Sequence, residues 1–338
     1  MVTVRGSGSK WTNTGSLSLA GGSNGRLAVE AGGQVTSCGA IVGTNGYRYY
    51  YPPSNMAVVT GTGSTWTDSG TLEIGEMGIL AVADGGKIGT KTLRTGGTVN
   101  LGIIGNDMIV LGDAQTTGSI VNDGEICLYA SAFESQGVYT PISEHAGRSI
   151  NWSGTGRIKG FGGRWDNESK TFNIPVPIML PAGSASTFQG GDRVIFTDPG
   201  SGKQVGLSFE DWTGRGWGEE DIPFSAELMD DDELTALARR APVSVLGAWR
   251  CLADMGMACL IMSFDIGTGS QDFMVWLFDD ESATWEPYQS DFAQCAADGI
   301  ISFQIAREGG FAVTTVPEPA TIGLLTFGGL AMLRRRRK

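Results

Sequence analysis

Histidine and paired cysteines are scarce in this chain of 338 residues. It has one histidine, His145, and five cysteines, none of them in a Cys-x-x-Cys pair. Because a structural zinc site needs four closely spaced cysteine or histidine ligands, the sequence predicts no metal site. Cys251 and Cys259 flank a turn-like centre, and two interpretations stay open for them: a disulfide across a hairpin, and a pair of buried free thiols.

The sequence also lacks the patterns of common catalytic and nucleotide-binding sites. A lone histidine in a polar stretch such as residues 143–148 is typically solvated. No phosphate-binding loop or dinucleotide fingerprint occurs, so no cofactor is expected. These absences predict a protein that is not an enzyme. Polysaccharide cleavage by carboxylates and basic side chains stays open as an alternative. The charged residues that lie close enough in sequence to suit it are Arg157, Arg164, Asp166 and Glu168.

Positive charge is in short supply outside the C-terminus. The net charge is −12, although the last five residues, Arg334–Lys338, are all basic. An acidic body repels nucleic acid, so no nucleic-acid partner is expected. The N-terminus lacks a targeting segment, since Met1–Val4 leads straight into a strand-like repeat with no basic start and no apolar run. We therefore expect the natural start to lie further upstream.

Helical periodicity is missing from residues 1–130, and an internal repeat of short glycine-rich segments takes its place. Gly6–Leu17 recurs as Gly61–Leu72 at an offset of 55 residues, and Leu27–Gly33 recurs as Leu80–Gly86 at an offset of 53. Within each copy the apolar residues alternate in short bursts, with glycine-containing steps between them. Such repeats are typical of stacked coils, so we predict a right-handed parallel β-solenoid over residues 1–171.

Two aromatic features in this half have both packing and glycan-binding interpretations. Trp11 and Trp66 occupy equivalent repeat positions, which favours packing between coils over a sugar platform. The loop Gly46–Pro53 is rich in tyrosine, whose flat face suits a sugar ring, although such a loop can also cover an edge of the stack. The candidate glycan contacts are Tyr47, Arg48, Tyr49, Tyr50 and Tyr51.

The second half has a different composition. Residues 172–181 contain three prolines and predict an extended linker. Residues 182–315 alternate short apolar runs with turns and predict a small β-sandwich-like domain. Its one expected helix is Asp230–Arg240, because Asp230 and Glu233 have the spacing of a capping box. The whole chain is thus predicted to be all-β, apart from this helix and a helix in the tail.

Three chemistries follow one another in the last segment, residues 316–338. A rigid Pro-Glu-Pro is followed by the apolar run Ala320–Leu333 and then by the basic cluster, which prefers the cytoplasmic side of a membrane. The run is shorter than the roughly 20 residues that span a bilayer. An ordinary membrane anchor and a buried amphiphilic helix are two interpretations of this segment. The residues of interest in it are Val316, Pro317, Glu318, Pro319, Arg334, Arg335, Arg336 and Arg337.

This order resembles the PEP-CTERM sorting signal of exported bacterial proteins. The resemblance implies that the tail is a membrane-sorting helix, which holds the protein transiently in the inner membrane until an exosortase cuts near Pro317–Pro319. The two repeat copies resemble a β-helix repeat shared by autotransporter passenger domains and PEP-CTERM proteins. Residues 246–313 resemble the β-rich module that often precedes this tail.

Together these features predict an exported structural or adhesive protein of the bacterial cell surface or extracellular matrix. Its expected partners are an exosortase, the inner membrane through the tail, and exopolysaccharide or other surface glycans. The alternative is a surface-displayed β-helix protein that binds or cleaves carbohydrate.

Overall fold

The computed structural model describes most of the chain in fourteen stretches. These are residues 1–19, 25–43, 55–103, 108–145, 147–211, 222–240, 244–253, 260–266, 273–280, 282–288, 290, 293–295, 299–305 and 307–316. They form 32 strands and one helix, so the predicted all-β fold class is confirmed.

Strands β1 to β20 belong to the first half. They are β1 (Val2–Arg5), β2 (Lys10–Thr12), β3 (Leu17–Leu19), β4 (Arg26–Glu30), β5 (Gln34–Ser37), β6 (Ala40–Val42), β7 (Asn55–Thr60), β8 (Thr65–Ile74), β9 (Gly78–Ala83), β10 (Lys87–Thr95), β11 (Thr98–Gly102), β12 (Ile109–Leu111), β13 (Ser119–Asn122), β14 (Glu125–Tyr129), β15 (Gly137–Tyr139), β16 (Ile142–Glu144), β17 (Asn151–Ser153), β18 (Arg157–Phe161), β19 (Arg164–Asp166) and β20 (Thr171–Ile174).

Two parallel sheets hold most of these strands. The first parallel sheet has the order β1-β4-β7-β9-β11-β14-β18. The second parallel sheet follows β2-β5-β8-β10-β12-β16, and a further row of strands, β3, β6, β13 and β17, pairs along the other parts of β8 and β10. The chain therefore alternates between the two sheets, adding a strand to each in turn. A small third sheet, β15-β20-β19, is antiparallel.

Equivalent apolar positions stack in register along each parallel sheet. In the first, Leu27 pairs with Ala57, Ala57 with Leu80, and Leu80 in turn with Val99. All four are 0% exposed. One continuous core therefore runs between the sheets, and each step buries the same side of the strand.

The sequence repeat corresponds to two steps of this ladder. Trp11 pairs with Val35, and Val35 pairs with Trp66, which accounts for the offset of 55 residues. Leu27 reaches Leu80 through Ala57, which accounts for the offset of 53. At the stacked positions, the intermediate strands have the apolar residues Val35 and Ala57 in place of the repeated tryptophan and leucine. A search for sequence identity therefore does not detect the intermediate strands.

Glycine is required where the chain turns away from the first parallel sheet. A Cβ atom on Gly33 would lie 2.2 Å from the carbonyl oxygen of Val4, and one on Gly86 would lie 2.3 Å from that of Val59. The preceding residues, Gly32 and Gly85, have φ of +87° and +76°. The repeated Gly-Gly pairs thus combine a left-handed turn with close contact between backbones.

The described residues of the second half form twelve strands. They are β21 (Ile178–Pro181), β22 (Ser186–Phe188), β23 (Arg193–Thr197), β24 (Gln204–Phe209), β25 (Ile222–Leu228), β26 (Val245–Ala253), β27 (Leu260–Asp265), β28 (Phe273–Asp279), β29 (Thr284–Pro287), β30 (Ala293–Cys295), β31 (Ile300–Ile305) and β32 (Gly309–Thr315).

Two six-stranded sheets arrange these strands around one core. The fourth sheet has the order β21-β23-β24-β27-β31-β30, and the fifth has the order β22-β25-β26-β32-β28-β29. Aromatic rings from the two sheets meet in the core; for example, the ring centroids of Phe303 and Phe311 are 6.2 Å apart. All pairings in the two sheets are antiparallel except that between β21 and β23.

The predicted linker, residues 172–181, is shorter in the structure. Its start lies in β20, which pairs with β15 and β19, and its end forms β21, which pairs with β23. Only Pro175, Val176 and Pro177 lie between the two strands. Proline limits backbone donation but is accepted on edge strands, so a proline-rich composition did not exclude strand structure here.

The single helix of the described residues, α1 (Asp231–Arg240), begins as predicted. The backbone N–H of Glu233 donates to Asp230 Oδ1 at 2.8 Å, and the N–H of Asp230 donates to Glu233 Oε2 at 3.2 Å. This reciprocal pair is a capping box. Leu237 is buried in a small cluster with Trp276 and Trp285, so α1 packs on the outer face of the fifth sheet.

The two halves meet around Arg193, which is fully buried at the start of β23. Its Nη1 donates to the carbonyl oxygens of Ser131 at 3.0 Å and Glu134 at 2.7 Å, and its Nε donates to that of Pro175 at 3.0 Å. Burial lowers the pKa of Arg193 to about 10, so the guanidinium stays charged at neutral pH. The charge is thus solvated by carbonyl groups instead of water.

Leu80 should be essential to the stacked core. Replacing it by alanine should lower the free energy of unfolding by about 3 kcal/mol, because it leaves a cavity between two strands. Ile41, which is 40% exposed on β6, offers a control, and Ile41→Ala should cost less than about 0.5 kcal/mol. Chemical denaturation measures both, and equal losses would show that Leu80 does not face a packed core.

Arg193 should contribute much of the cohesion between the halves. Arg193→Met should lower the free energy of unfolding by about 3 kcal/mol, because it leaves several buried carbonyl groups without their donor. Arg164 also donates to a carbonyl across this junction, that of Gly190, but its side chain is about half exposed. Arg164→Met should therefore cost less than about 1 kcal/mol. Urea unfolding that gave the two variants the same midpoint would contradict this assignment.

Candidate functional site

The C-terminal sorting segment is the candidate functional site, and the structure describes its entry point. Val316 is the last described residue and is 42% exposed. Pro317, Glu318, Pro319 and the basic cluster lie outside the described residues. The tyrosine loop, Tyr47–Tyr51, also lies outside them, so its predicted glycan contacts stay a prediction.

β32 delivers the chain to this segment from the interior of the second half. It lies between β26 and β28 in the fifth sheet and pairs with both. Phe311, Ala312, Val313 and Thr314 are all 0% exposed. Apolar residues occur on both sides of the strand because one side faces the shared core and the other faces α1 and its neighbours.

The last two residues of β32 are held by specific hydrogen bonds. The indole Nε1 of Trp276 donates to Thr314 Oγ1 at 2.9 Å in a buried position. The backbone N–H of Thr315 donates to the carbonyl oxygen of Ser244 at 3.1 Å. Thr315 also lies opposite Phe273 of β28. The chain is thus ordered by neighbours on both sides up to the residue before Val316.

Sequence reasoning did not find this arrangement. It included Phe311–Val313 in a β-rich module but assigned them no neighbours, because the strands that flank β32 come from remote parts of the chain. The available signal was the short continuous apolar run directly ahead of the tail, a pattern that suits a strand buried on both faces.

The charged residues of the alternative enzymatic interpretation form turns and surface contacts. Asp166 Oδ1 accepts the backbone N–H groups of Glu168 at 2.8 Å and Ser169 at 3.2 Å. Hydrogen bonding to the Ser169 side chain, and then to these backbone groups, lowers the pKa of Asp166. A general acid in glycoside cleavage needs a raised pKa, so Asp166 does not fit that role. Arg157, Arg164 and Glu168 are exposed.

The other singled-out side chains lie in structural or solvated positions. Trp66 is 0% exposed, and its Nε1 donates to Ser37 Oγ at 3.0 Å, so it cannot serve as a sugar platform. Trp11 is half-buried on β2, the edge strand of the second parallel sheet, at the position equivalent to Trp66. His145 is exposed.

The cysteines that the structure describes favour the thiol interpretation. Cys251 is a buried free thiol whose pKa is raised by burial, and Cys127 is a second one whose pKa is raised to about 11, chiefly by burial. Raised pKa values make both thiols poor nucleophiles. Cys259, the expected disulfide partner of Cys251, lies outside the described residues.

Among the described residues, no group of three or more histidine, cysteine, aspartate or glutamate side chains is placed to hold a metal ion. Within that same part of the chain, no helix has both the length and the apolar character needed to cross a bilayer.

Comparison with known protein families identifies the tail. Residues 315–338 match the PEP-CTERM protein-sorting motif. A search of curated proteins and a search of solved structures gave no match. The motif is recognised by an exosortase, and it marks an exported protein that its C-terminal tail holds transiently in the membrane before cleavage. The match begins at Thr315, the last residue of β32, so the sorting motif starts inside the folded sheet.

Proposed function

We propose that this exosortase-sorted protein is a structural or adhesive component of the bacterial cell surface or extracellular matrix. The observation that carries the proposal is the junction at Thr315, where a folded all-β body continues without a spacer into the sorting motif. The folded body is then the part that is exported, and the function outside the cell must come from this body.

The first half suits an extended structural role as a β-solenoid. The chain returns to the first parallel sheet after each visit to the second, and the strand pairings within the first sheet are all parallel. Parallel crossover connections are right-handed in nearly all proteins, which favours the right-handed form. Seven strands about 4.8 Å apart make a stack about 29 Å long. A stack of this kind can act as a spacer or present a broad surface.

The second half suits a folded stalk with the architecture of a β-sandwich. Its two sheets share one core, and its outer face carries α1. In this arrangement the stalk lies nearest the tail, and the solenoid lies furthest along the chain from the membrane attachment.

The alternative carbohydrate-binding or carbohydrate-cleaving function draws no specific support from the described residues. Trp66 is buried, and Asp166 has a lowered pKa instead of a raised one. Glycan contacts at Tyr47, Arg48 and Tyr49–Tyr51 would require the loop that lies outside the described stretches. We therefore propose a protein without catalysis of its own.

Sorting should depend on the Pro-Glu-Pro segment. Expressed behind a signal peptide in a host with an exosortase, the protein should reach the cell surface without Arg334–Lys338. Changing Pro317, Glu318 and Pro319 to alanine should leave the uncut chain in the inner membrane. Mass spectrometry of each fraction measures both results.

A matched control uses the other Pro-x-Pro segment of the sequence, Pro175-Val176-Pro177, which connects β20 and β21. Changing Pro175, Val176 and Pro177 to alanine should leave cleavage unchanged, because Val176 is 65% exposed and Pro175 contributes only its carbonyl oxygen to Arg193. Recovery of Lys338 on the mature surface protein would refute sorting by cleavage and leave a permanent anchor.

The mature protein should release no sugars from polysaccharides. Incubation with bacterial exopolysaccharide should produce no new reducing or unsaturated ends, and the double variant Asp166→Asn, Glu168→Gln should match the parent. Release of oligosaccharides by the parent and its loss in the double variant would favour the enzymatic alternative.

A further inference from the structure

The fold leaves very little free chain between the second half and the Pro-Glu-Pro segment. Thr314 is 0% exposed and lies between Val245 on one side and Met274 on the other. Thr315 is still paired, through its N–H to Ser244. Only Val316 therefore separates the folded sheet from Pro317.

This short connection sets how close the folded body must come to the membrane. The apolar run begins at Ala320, five residues after Thr315, and five extended residues span at most about 18 Å. The polar layer on each side of a bilayer is roughly 5–8 Å thick. While the apolar run is inserted, the ends of β32, β26 and β28 must therefore lie within roughly 10–13 Å of the outer surface of the headgroup layer.

An enzyme that cuts near Pro317–Pro319 faces a steric limit in the same place. Peptide-recognising sites commonly hold their substrate as an extended strand several residues long, with the main chain exposed on at least one edge. Upstream of Pro317 this chain offers one such residue, Val316, because Thr315 and Thr314 already have neighbours on both edges. The enzyme can engage residues before Val316 only if the end of β32 separates from β26 and β28.

We propose that β32 limits the rate of exosortase processing, because its last residues must leave the fifth sheet before the enzyme can engage the chain ahead of Pro-Glu-Pro. The proposal rests on the sorting function given above. The second half would thus set the rate of cleavage. Cleavage is slow while the end of β32 stays paired in the fifth sheet, and it is faster when this pairing is weakened. The contacts that must break lie at the end of the sheet, where Thr314 pairs with Val245 and Thr315 contacts Ser244 and Phe273.

The test lengthens the connection while leaving the sequence from Val316 to Lys338 unchanged. Six residues, Gly-Ser-Gly-Ser-Gly-Ser, are inserted between Thr315 and Val316 of the full chain, which is expressed with a signal peptide in a host with an exosortase. Pulse-chase labelling measures the cleavage rate. The insertion should raise the rate several-fold, because the enzyme then engages free chain and β32 stays in place.

A control insertion separates this effect from general loosening. The same six residues are placed between Gly200 and Ser201, in the exposed turn between β23 and β24, and should leave the rate at the parent's value. A second variant, Thr314→Val, removes the acceptor of the Trp276 indole and should raise the rate less than the insertion does. Limited proteolysis checks that each body is folded.

Two results would overturn the proposal, and they are distinguishable. If the parent is cleaved and the Thr315/Val316 insertion is cleaved at the same rate or more slowly, β32 does not limit processing, although sorting stands. If neither parent nor insertion variant is cleaved where a known exosortase substrate is, the sorting function itself fails and the proposal falls with it.

Discussion

Hydrogen bonding between successive parallel strands is the constraint on which the first half depends. Each strand must present its inward residues in register with the strand before it, as Leu27, Ala57, Leu80 and Val99 do. The turns at which the chain leaves the first parallel sheet bring backbones together so closely that Gly33 and Gly86 have no room for a Cβ atom. Aliphatic columns and glycine pairs are thus two consequences of one geometric requirement.

The second half depends on burial of both faces of its fifth sheet. One face meets the fourth sheet, and the other meets α1, so β32 has neither an exposed face nor a free edge. Arg193 joins this half to the first by donating to carbonyl oxygens of both the first half and the connection. A continuous folded body therefore extends to the residue at which the sorting motif begins.

The sequence predicted the features that are local or repeated. The capping box of α1 is confirmed because its bonds join residues three apart, and the tail is recognisable because its three chemistries are contiguous. The repeat located strands such as those around Leu17, Leu27, Leu72 and Leu80. It did not show that each repeat spans two strands of the ladder, because Val35 and Ala57 share only apolar character with their neighbours in the column.

Features that join remote segments could not be predicted in this way. The position of β32 between β26 and β28 depends on antiparallel pairing across gaps in the sequence, and the burial of Arg193 depends on carbonyl groups that its neighbours in sequence do not provide. The prolines of residues 172–181 indicated a linker, but β21 uses an edge position, where proline is tolerated. The sequence thus predicted the sorting segment but not the buried position of β32, the strand that precedes it.

The central claim is that the folded body extends without a break to the sorting motif. Amide hydrogen exchange of the full chain, held in a lipid nanodisc by its tail, tests it most directly. The account predicts that the amides of Phe311–Thr314 exchange as slowly as those of β26 and β28, and that protection ends at Val316. Rapid exchange throughout Gly309–Thr315 would contradict it, because the motif would then follow a free segment instead of a buried strand.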